Sequence, residues 1–407
     1  MIVQRRVVLF LSCLAFLVSG CALLGPSPVK SGAYVVQISE DGRYVVSTHG
    51  GNRAIAWDIT ERRVLRLSGN ANIYSATSAA DGGYWQDLDG GIRKLPHGEW
   101  SHDAVELVVS AAPPVYGMRI LDDRRILFAT ADWGLYLLDT SGAIEEIRPG
   151  TFSERGPQLG KLFNLTLHPD GERFLTAGDG GRFEPGLDEY ASEPRHPGFS
   201  QVTLWSLLDK KPERIFVGNS AKTHATLSPD GQYVVSGCEN SQGLVWPLGE
   251  GDSSYRLSSL RYGVLRKSED APESDPWKDS EWDAEYLIDI PDSMERTGPI
   301  LAMKFISDRY FLRFMTREPW VALHEVGNPW PVKYFHLGEN PRPSLYHYSR
   351  NEAIATAPDT GLLVIAENRG PRLIGYQFDE DELTLTRKWI AHPSRGFRDA
   401  RPVSQKY

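Results

Sequence analysis

Cysteine is scarce in this chain, with three residues among 407. Cys13 and Cys21 lie in the N-terminal segment, and Cys238 stands alone in the rest of the sequence. The main body therefore cannot close a disulfide within itself, which excludes a fold held together by disulfides. Cys238 ends the apolar segment YVVSGC with no histidine or basic cluster beside it, a pattern that predicts a small buried residue.

Positive charge and long apolar runs are also lacking. The chain has 44 basic and 53 acidic residues and a formal net charge of −9. This balance argues against nucleic acid as a partner and slightly favours basic protein surfaces. The most apolar run, residues 7–18, is about a dozen residues long and is too short to span a bilayer comfortably.

Signatures of catalysis and of metal or phosphate binding are missing too. The sequence has no G-x-S-x-G or H-E-x-x-H motif, its histidines are scattered, and no glycine-rich loop opens a helix. The segments DLDGG (residues 87–91) and GDGG (residues 178–181) lack the further oxygen ligands of a calcium loop and are predicted to be turns. We therefore expect no enzymatic activity, no cofactor and no metal site.

The N-terminus has the layout of a secretory signal. Arg5 and Arg6 precede the apolar run, and small residues lead to Cys21 in the segment LVSGC. This segment resembles the lipobox of bacterial lipoproteins. The resemblance implies that residues 1–20 are a signal peptide, that Cys21 carries the lipid, and that residues 21–33 form a tether. Ala22 after that cysteine implies delivery to the outer membrane, facing the periplasm, with the lipid as the contact with the membrane.

A hairpin pattern recurs along the rest of the chain. The segments ISEDGRYVVSTHG, LHPDGERFLTAG and LSPDGQYVVSG each join an apolar residue to an alternating apolar run through a turn ending in Asp-Gly. A spacing of roughly 40 residues is typical of blades stacked around an axis. The spacing predicts seven such units, with turn aspartates at positions 41, 81, 122, 170, 230, 308 and 359.

Trp57 and Asp58 end the third apolar run of the first unit, and this unit resembles a WD40 repeat. The family's Gly-His dipeptide is absent, so the resemblance is to a divergent WD40-like β-propeller. It implies an all-β fold, a single seven-bladed propeller over residues 34–392, with a C-terminal tail over 393–407. The spacing also allows six or eight blades. Trp57, Trp205 and Trp246 are predicted to be core residues, and residues 383–392 are predicted to pair near the N-terminal strand.

Two insertions interrupt the units, at residues 179–201 and 261–299. In a four-stranded meander, loops between second and third strands emerge on the same face as the links between units, so both insertions are predicted to share one face. The second insertion holds eleven Asp or Glu residues and is either a solvated charged loop or a binding surface. The candidate partner-binding residues are Trp277, Trp282, Tyr286, Glu269, Asp270, Glu273 and Asp275.

Two functions are compatible with these patterns. The first is a lipid-anchored scaffold of the periplasm that binds an envelope protein through the loops of a rigid ring. The alternative is a propeller enzyme acting on a sugar lactone or glycan, which would need carboxylates and histidines converging at the mouth of the central channel. The absence of a catalytic motif favours the scaffold.

Overall fold

The structure is a computed structural model. It describes residues 32–110, 112–121, 125–130, 134–139, 141–148, 162–178, 201–217, 224–237, 243–249, 254–257, 300–315, 320–338, 353–367 and 370–400. The proposed signal peptide and Cys21, the turn residue Asp122, and Cys238 lie outside these ranges.

The described residues form 29 strands in seven antiparallel sheets, each built from strands that follow one another along the chain. Blade one comprises β1 (Ala33–Ile38), β2 (Tyr44–His49), β3 (Arg53–Asp58) and β4 (Arg63–Ser68). Blade two comprises β5 (Ala71–Ala79), β6 (Gly82–Asp87), β7 (Ile92–Pro96) and β8 (Glu106–Val109). Blade three comprises β9 (Gly117–Ile120), β10 (Ile126–Ala129), β11 (Leu135–Leu138) and β12 (Ile144–Arg148).

The remaining blades repeat the same order. Blade four comprises β13 (Leu162–Leu167), β14 (Arg173–Gly178), β15 (Gln201–Ser206) and β16 (Lys211–Val217). Blade five comprises β17 (His224–Leu227), β18 (Tyr233–Gly237), β19 (Gly243–Pro247) and β20 (Tyr255–Leu257). Blade six comprises β21 (Ile300–Phe305), β22 (Tyr310–Met315), β23 (Trp320–Glu325) and β24 (Pro331–His336), and blade seven comprises β25 (Ile354–Ala357), β26 (Leu362–Ala366), β27 (Leu373–Asp379), β28 (Thr384–His392) and β29 (Gly396–Asp399).

The first strands of the blades form the inside of a ring. Each first strand contacts the first strand of the blade before it and of the blade after it, and β1 of blade one contacts β25 of blade seven. This cyclic contact pattern confirms the predicted all-β, seven-bladed propeller. Two short 3-10 turns, His102–Ala104 and Pro358–Thr360, are the helical elements described. No helix in the described ranges is long and apolar enough to cross a membrane.

The recurring sequence pattern is a recurring hydrogen-bonded turn. In blade one, Ser39 Oγ donates to Asp41 Oδ1 at 2.5 Å, and the Tyr44 amide donates to Ser39 Oγ at 2.8 Å. In blade five, Ser228 Oγ donates to Asp230 at the same 2.5 Å distance. The side chains thus satisfy backbone and hydroxyl groups that the strands leave unpaired, which explains the repeated serine and aspartate.

The predicted core tryptophans are buried between blades. Trp57 is 1% exposed, and its Nε1 donates to Ser47 Oγ on the second strand at 2.7 Å. Trp205 Nε1 donates in the same way to Thr176 Oγ1 at 2.8 Å, and Trp246 is also buried. All three indoles therefore fill the space between two sheets. The indole N–H groups of Trp57 and Trp205 also donate to a hydroxyl group of their own blade.

The described strands close the ring by packing, and none of them is shared between the first and last blades. Residues 383–392, predicted to pair near the N-terminal strand, contain β28, which pairs with β27 and β29 and not with β1. Trp389 of β28 instead packs in one cluster with Val36 and Trp57 of blade one. Phe397 of β29 makes edge contacts with both tryptophans. The propeller thus continues past residue 392, with β29 covering the closure.

Candidate functional site: the insertion face and the channel

The described strands fix where both insertions leave the ring. Blade four is interrupted between β14, which ends at Gly178, and β15, which begins at Gln201. The second gap lies between β20, which ends at Leu257, and β21, which begins at Ile300. Because strands alternate in direction, a second-to-third-strand loop and a blade-to-blade link emerge on the same side. We call this side the insertion face, and the side that carries the first hairpin turns the turn face.

The candidate residues from the sequence lie outside the described residues. They are Cys21, Glu269, Asp270, Glu273, Asp275, Trp277, Trp282 and Tyr286. What the structure adds is the surface from which their segments depart. That surface includes the mouth of the central channel, since every first strand starts on the insertion face and runs toward the turn face.

Three tyrosines of neighbouring blades line the channel mouth on the insertion face. Tyr34 lies in β1, Tyr74 lies in β5 and Tyr116 directly precedes β9, and each is half-buried. The ring centroids of Tyr34 and Tyr74 are 6.0 Å apart in an edge-on contact, and those of Tyr74 and Tyr116 are 5.3 Å apart. We call this set the tyrosine arc, an aromatic surface of the kind that binding sites use for apolar contact.

Below the tyrosine arc, the first strands carry a polar residue at one common level in every blade. Each of these residues pairs with a buried apolar residue of its second strand, so the level is the same throughout the ring. The set, which we call the polar ring, is Gln37, Thr77, Arg119, Thr166, Thr226, Lys304 and Thr356. Thr77 is buried and the other six are half-buried. Each first strand is bounded by the second strand of its own blade and by the first strands of the two neighbouring blades. The exposed part of these side chains therefore faces the axis of the channel.

Two further polar side chains stand next to the polar ring. Asn164 and His224 lie two residues before Thr166 and Thr226, and therefore on the same sides of their strands. Asn164 Nδ2 donates to Thr166 Oγ1 at 3.3 Å. Burial, together with the positive charge of Lys304, lowers the pKa of His224 to about 3, so this imidazole is neutral at ordinary pH.

The other mouth of the channel is acidic. The turns on the turn face carry the predicted aspartates, of which Asp41, Asp170, Asp230, Asp308 and Asp359 are exposed. Burial, followed by the neighbouring charges of Asp230, Asp359 and then Glu380, raises the pKa of Asp308. The carboxylates of Asp230 and Asp359 therefore lie near that of Asp308 on the turn face.

Hydrogen bonds have the opposite effect on two other turn aspartates. Burial alone would raise the pKa of Asp41, but bonds from Ser39 Oγ and the Arg43 amide outweigh it and lower that pKa. The pKa of Asp170 is lowered in the same way, with burial opposed by Arg173 and a backbone amide. These two carboxylates are therefore structural anions that hold their turns.

Of the two segments compared above with calcium loops, residues 87–91 lie wholly within the described residues. Residues 87–91 form the turn between β6 and β7, in which the Gly90 amide donates to the Asp87 carbonyl. The Asp87 carboxylate accepts hydrogen bonds from Ser68 Oγ, Trp85 Nε1 and Arg93. Within the described part of the chain, no group of three or more His, Cys, Asp or Glu residues is arranged to hold a metal ion.

Comparison with known proteins adds no family name. No protein-family model matches the chain, and no curated protein matches it significantly in sequence. The assignment of the fold therefore depends on the strand order, the register and the cyclic contacts of the first strands.

The sequence patterns did not single out the polar ring or the tyrosine arc. A signal was present, because Thr166 and Thr226 stand at the same position ahead of the Pro-Asp-Gly turns in TLHPDG and TLSPDG. The tyrosines carry a second signal, since each lies three residues before the polar-ring residue of its blade. The shared positions of these threonines and tyrosines can be recognised once the seven units are aligned by the register of their first two strands.

Proposed function

We propose that this protein is a lipid-anchored interaction scaffold of the bacterial envelope, which binds a protein partner through its insertion face. The observation that carries the proposal is the departure of both long insertions from one face of a closed ring. Loops that are long, and grouped on one side of a rigid body, are the usual place for binding residues. The propeller itself is a fold that commonly serves such interactions.

The composition of the second insertion indicates how it would bind. Its eleven acidic residues would attract a basic surface and speed the encounter. Trp277 and Trp282 would then supply apolar area that is buried on contact, as aromatic residues do in the energetic centre of interfaces. The acidic residues would therefore govern the rate of association, and the two tryptophans would govern the rate of dissociation.

The proposed lipid anchor would hold the insertion face toward the membrane. β1 begins at Ala33 on the insertion face, and the tether from Cys21 comprises about a dozen residues. A fully extended chain of that length reaches at most about 45 Å. A partner would therefore be met close to the bilayer surface, and we expect a membrane-associated envelope protein with a basic surface.

The test is a deletion of residues 268–295, bridged by a short Gly-Ser linker, in a C-terminally tagged protein. We expect the variant to unfold at the temperature of the parent and to lose the partners that co-purify from detergent-solubilised envelopes. The double substitution Trp277→Ala and Trp282→Ala should weaken the binding free energy by about 2 kcal/mol or more, through faster dissociation of the partner. Leu208→Ala, on the turn face, is the matched control and should leave binding unchanged.

Anchoring is tested separately with Cys21→Ser, which should abolish incorporation of labelled fatty acid and leave unprocessed precursor. Undiminished labelling would contradict the lipid anchor. A folded deletion protein that still recovers the same partners would contradict the binding role of the second insertion.

A further inference from the structure

The two charged residues of the polar ring, Arg119 and Lys304, are both cations, and Arg119 Nη1 donates to the Met118 carbonyl at 2.7 Å. Arg119 of blade three and Lys304 of blade six belong to blades that are three steps apart in a ring of seven. None of the described first strands, β1, β5, β9, β13, β17, β21 and β25, contains an aspartate or glutamate. Two cations within low-dielectric walls attract an anion more strongly than they would on an exposed surface.

The polar ring and its surroundings also offer hydrogen bonds that the described residues do not complete. Asn164 is 7% exposed, and its Oδ1 has no hydrogen-bond partner among the described residues. Thr77 is 1% exposed, and its Oγ1 also has no hydrogen-bond partner among the described residues. The half-buried members of the polar ring, Gln37, Thr166, Thr226 and Thr356, carry the amide and hydroxyl groups that can bond the hydroxyl groups of a bound molecule.

The two mouths differ in what they admit. On the turn face, Asp230, Asp308 and Asp359 of blades five to seven are exposed and lie near one another, and their carboxylates would repel an incoming anion. On the insertion face the tyrosine arc presents aromatic rings instead. A ligand that enters by this mouth can pack an apolar ring face on these tyrosine rings while its acid group contacts Arg119 and Lys304.

We propose that the channel is a binding site for a small acidic sugar, a hydroxylated ring that carries a carboxylate or phosphate group. Arg119 and Lys304 pair with the acid, and the threonines and Gln37 bond the hydroxyls. The tyrosine arc covers the apolar face of the ring. Arginine in particular presents a fork of donors that matches carboxylate and phosphate oxygens. This site is separate from the proposed protein-binding insertions and does not depend on them.

The proposal is tested by isothermal titration of the full chain, purified in detergent, with three probes. The probes are glucuronate, glucose 6-phosphate and glucose. We expect one or both anionic sugars to bind and glucose to bind at least about tenfold more weakly. The relative affinities for glucuronate and glucose 6-phosphate identify the acid that the site prefers.

Variants locate the site. Arg119→Gln and Lys304→Gln should each weaken binding of the preferred anionic sugar by about tenfold or more, and Tyr74→Leu should weaken binding of all sugars that bind. Lys333→Gln is the matched control, because Lys333 is an exposed cation on β24 at the outer edge of blade six. Circular dichroism and thermal unfolding establish that each variant is folded.

Two results would overturn the proposal. The first is no heat of binding with either anionic sugar at millimolar concentration. The second is binding that Lys304→Gln, in a folded protein, leaves unchanged. The deletion of residues 268–295 should bind the sugar as the parent does, so that failure of the protein-binding role and failure of this site are distinguished.

Discussion

At the scale of single residues, the first turn of blade five couples two blades through a glycine. Gly231 has a φ of 71°, in the left-handed region that favours glycine. Its carbonyl oxygen lies 3.1 Å from Nε2 of His168, which belongs to the first turn of blade four. A Cβ at this position would lie 2.6 Å from His168 Cε1 and 2.9 Å from Pro169 Cγ. Position 231 is therefore constrained both by its backbone and by the neighbouring blade.

Gly231→Ala should lower the free energy of unfolding by about 3 kcal/mol, because backbone strain and the collision with His168 add together. Gly98→Ala is the matched control. Gly98 also has positive φ, at 87°, but a Cβ there would meet nothing within 4 Å. It should cost only about 1 kcal/mol, the strain of the left-handed conformation. Urea unfolding measures both, and equal losses would contradict the contact between the two turns.

His224 should make stability depend on acid. Its pKa is about 3 in the folded protein against 6.5 for an ordinary histidine, because burial and then Lys304 disfavour the charged form. Below pH 6.5 the unfolded chain takes up a proton that the folded chain does not, so stability is present above that pH and is lost as the pH falls. The expected loss from this group between pH 7 and pH 5 is about 2 kcal/mol.

Urea unfolding of His224→Gln at pH 7 and pH 5 checks this prediction. The variant should lose about 2 kcal/mol less than the parent on acidification, whatever its stability at pH 7. His102→Gln, at an exposed histidine, should keep the pH dependence of the parent. An unchanged pH dependence in His224→Gln would show that the imidazole is not kept neutral by burial.

The residues that could be predicted from the sequence are those with a local signature. The turn aspartates and Trp57 belong to short patterns set by turn geometry and strand alternation, so their roles follow from neighbouring residues. The polar ring has no such signature. Gln37, Arg119 and Lys304 share a role because distant strands meet at one axis, and this relation appears only when the ring is closed.

At the scale of elements, β29 completes the seam between the first and last blades. It pairs with β28, and Phe397 contacts both Trp57 and Trp389. Arg62 Nη2 of blade one lies 2.6 Å from Asp399 Oδ1. None of the described strands is shared across the seam, and β29 covers its outer side.

Ending the chain at His392 should therefore lower the unfolding temperature of the whole ring, since it removes β29 and exposes apolar area on Trp57 and Trp389. Ending the chain at Ala400 keeps every described strand and should leave the unfolding temperature unchanged. Calorimetry on the two truncated proteins provides the comparison. Equal unfolding temperatures would mean that β29 does not stabilise the seam.

Repetition made most elements predictable, and the exceptions are elements outside the repeat. The sequence of blade two matches the repeat least well, yet its predicted turn at Asp81 joins β5 to β6. β29 was assigned to a tail because the repeat pattern of four strands ends at β28. The mode of closure was also missed, since packing between blades leaves no periodic mark in the sequence.

At the scale of the whole molecule, the ring has two unlike ends. The turn face carries short turns with exposed carboxylates, whereas the insertion face carries the tyrosine arc and the starting points of both insertions. The N-terminal strand also starts on the insertion face. The proposed anchor, partner and sugar would thus all be met at one end of the channel.

Site-specific photocrosslinking in intact cells tests this polarity most directly. A photoreactive amino acid is placed at position 277 or 282 in the second insertion, and at position 208 on the turn face, where Leu208 is 85% exposed. If the insertion face binds the partner, positions 277 and 282 should yield a discrete crosslinked envelope protein and position 208 should yield none. A discrete crosslink from position 208, with none from the insertion, would contradict it.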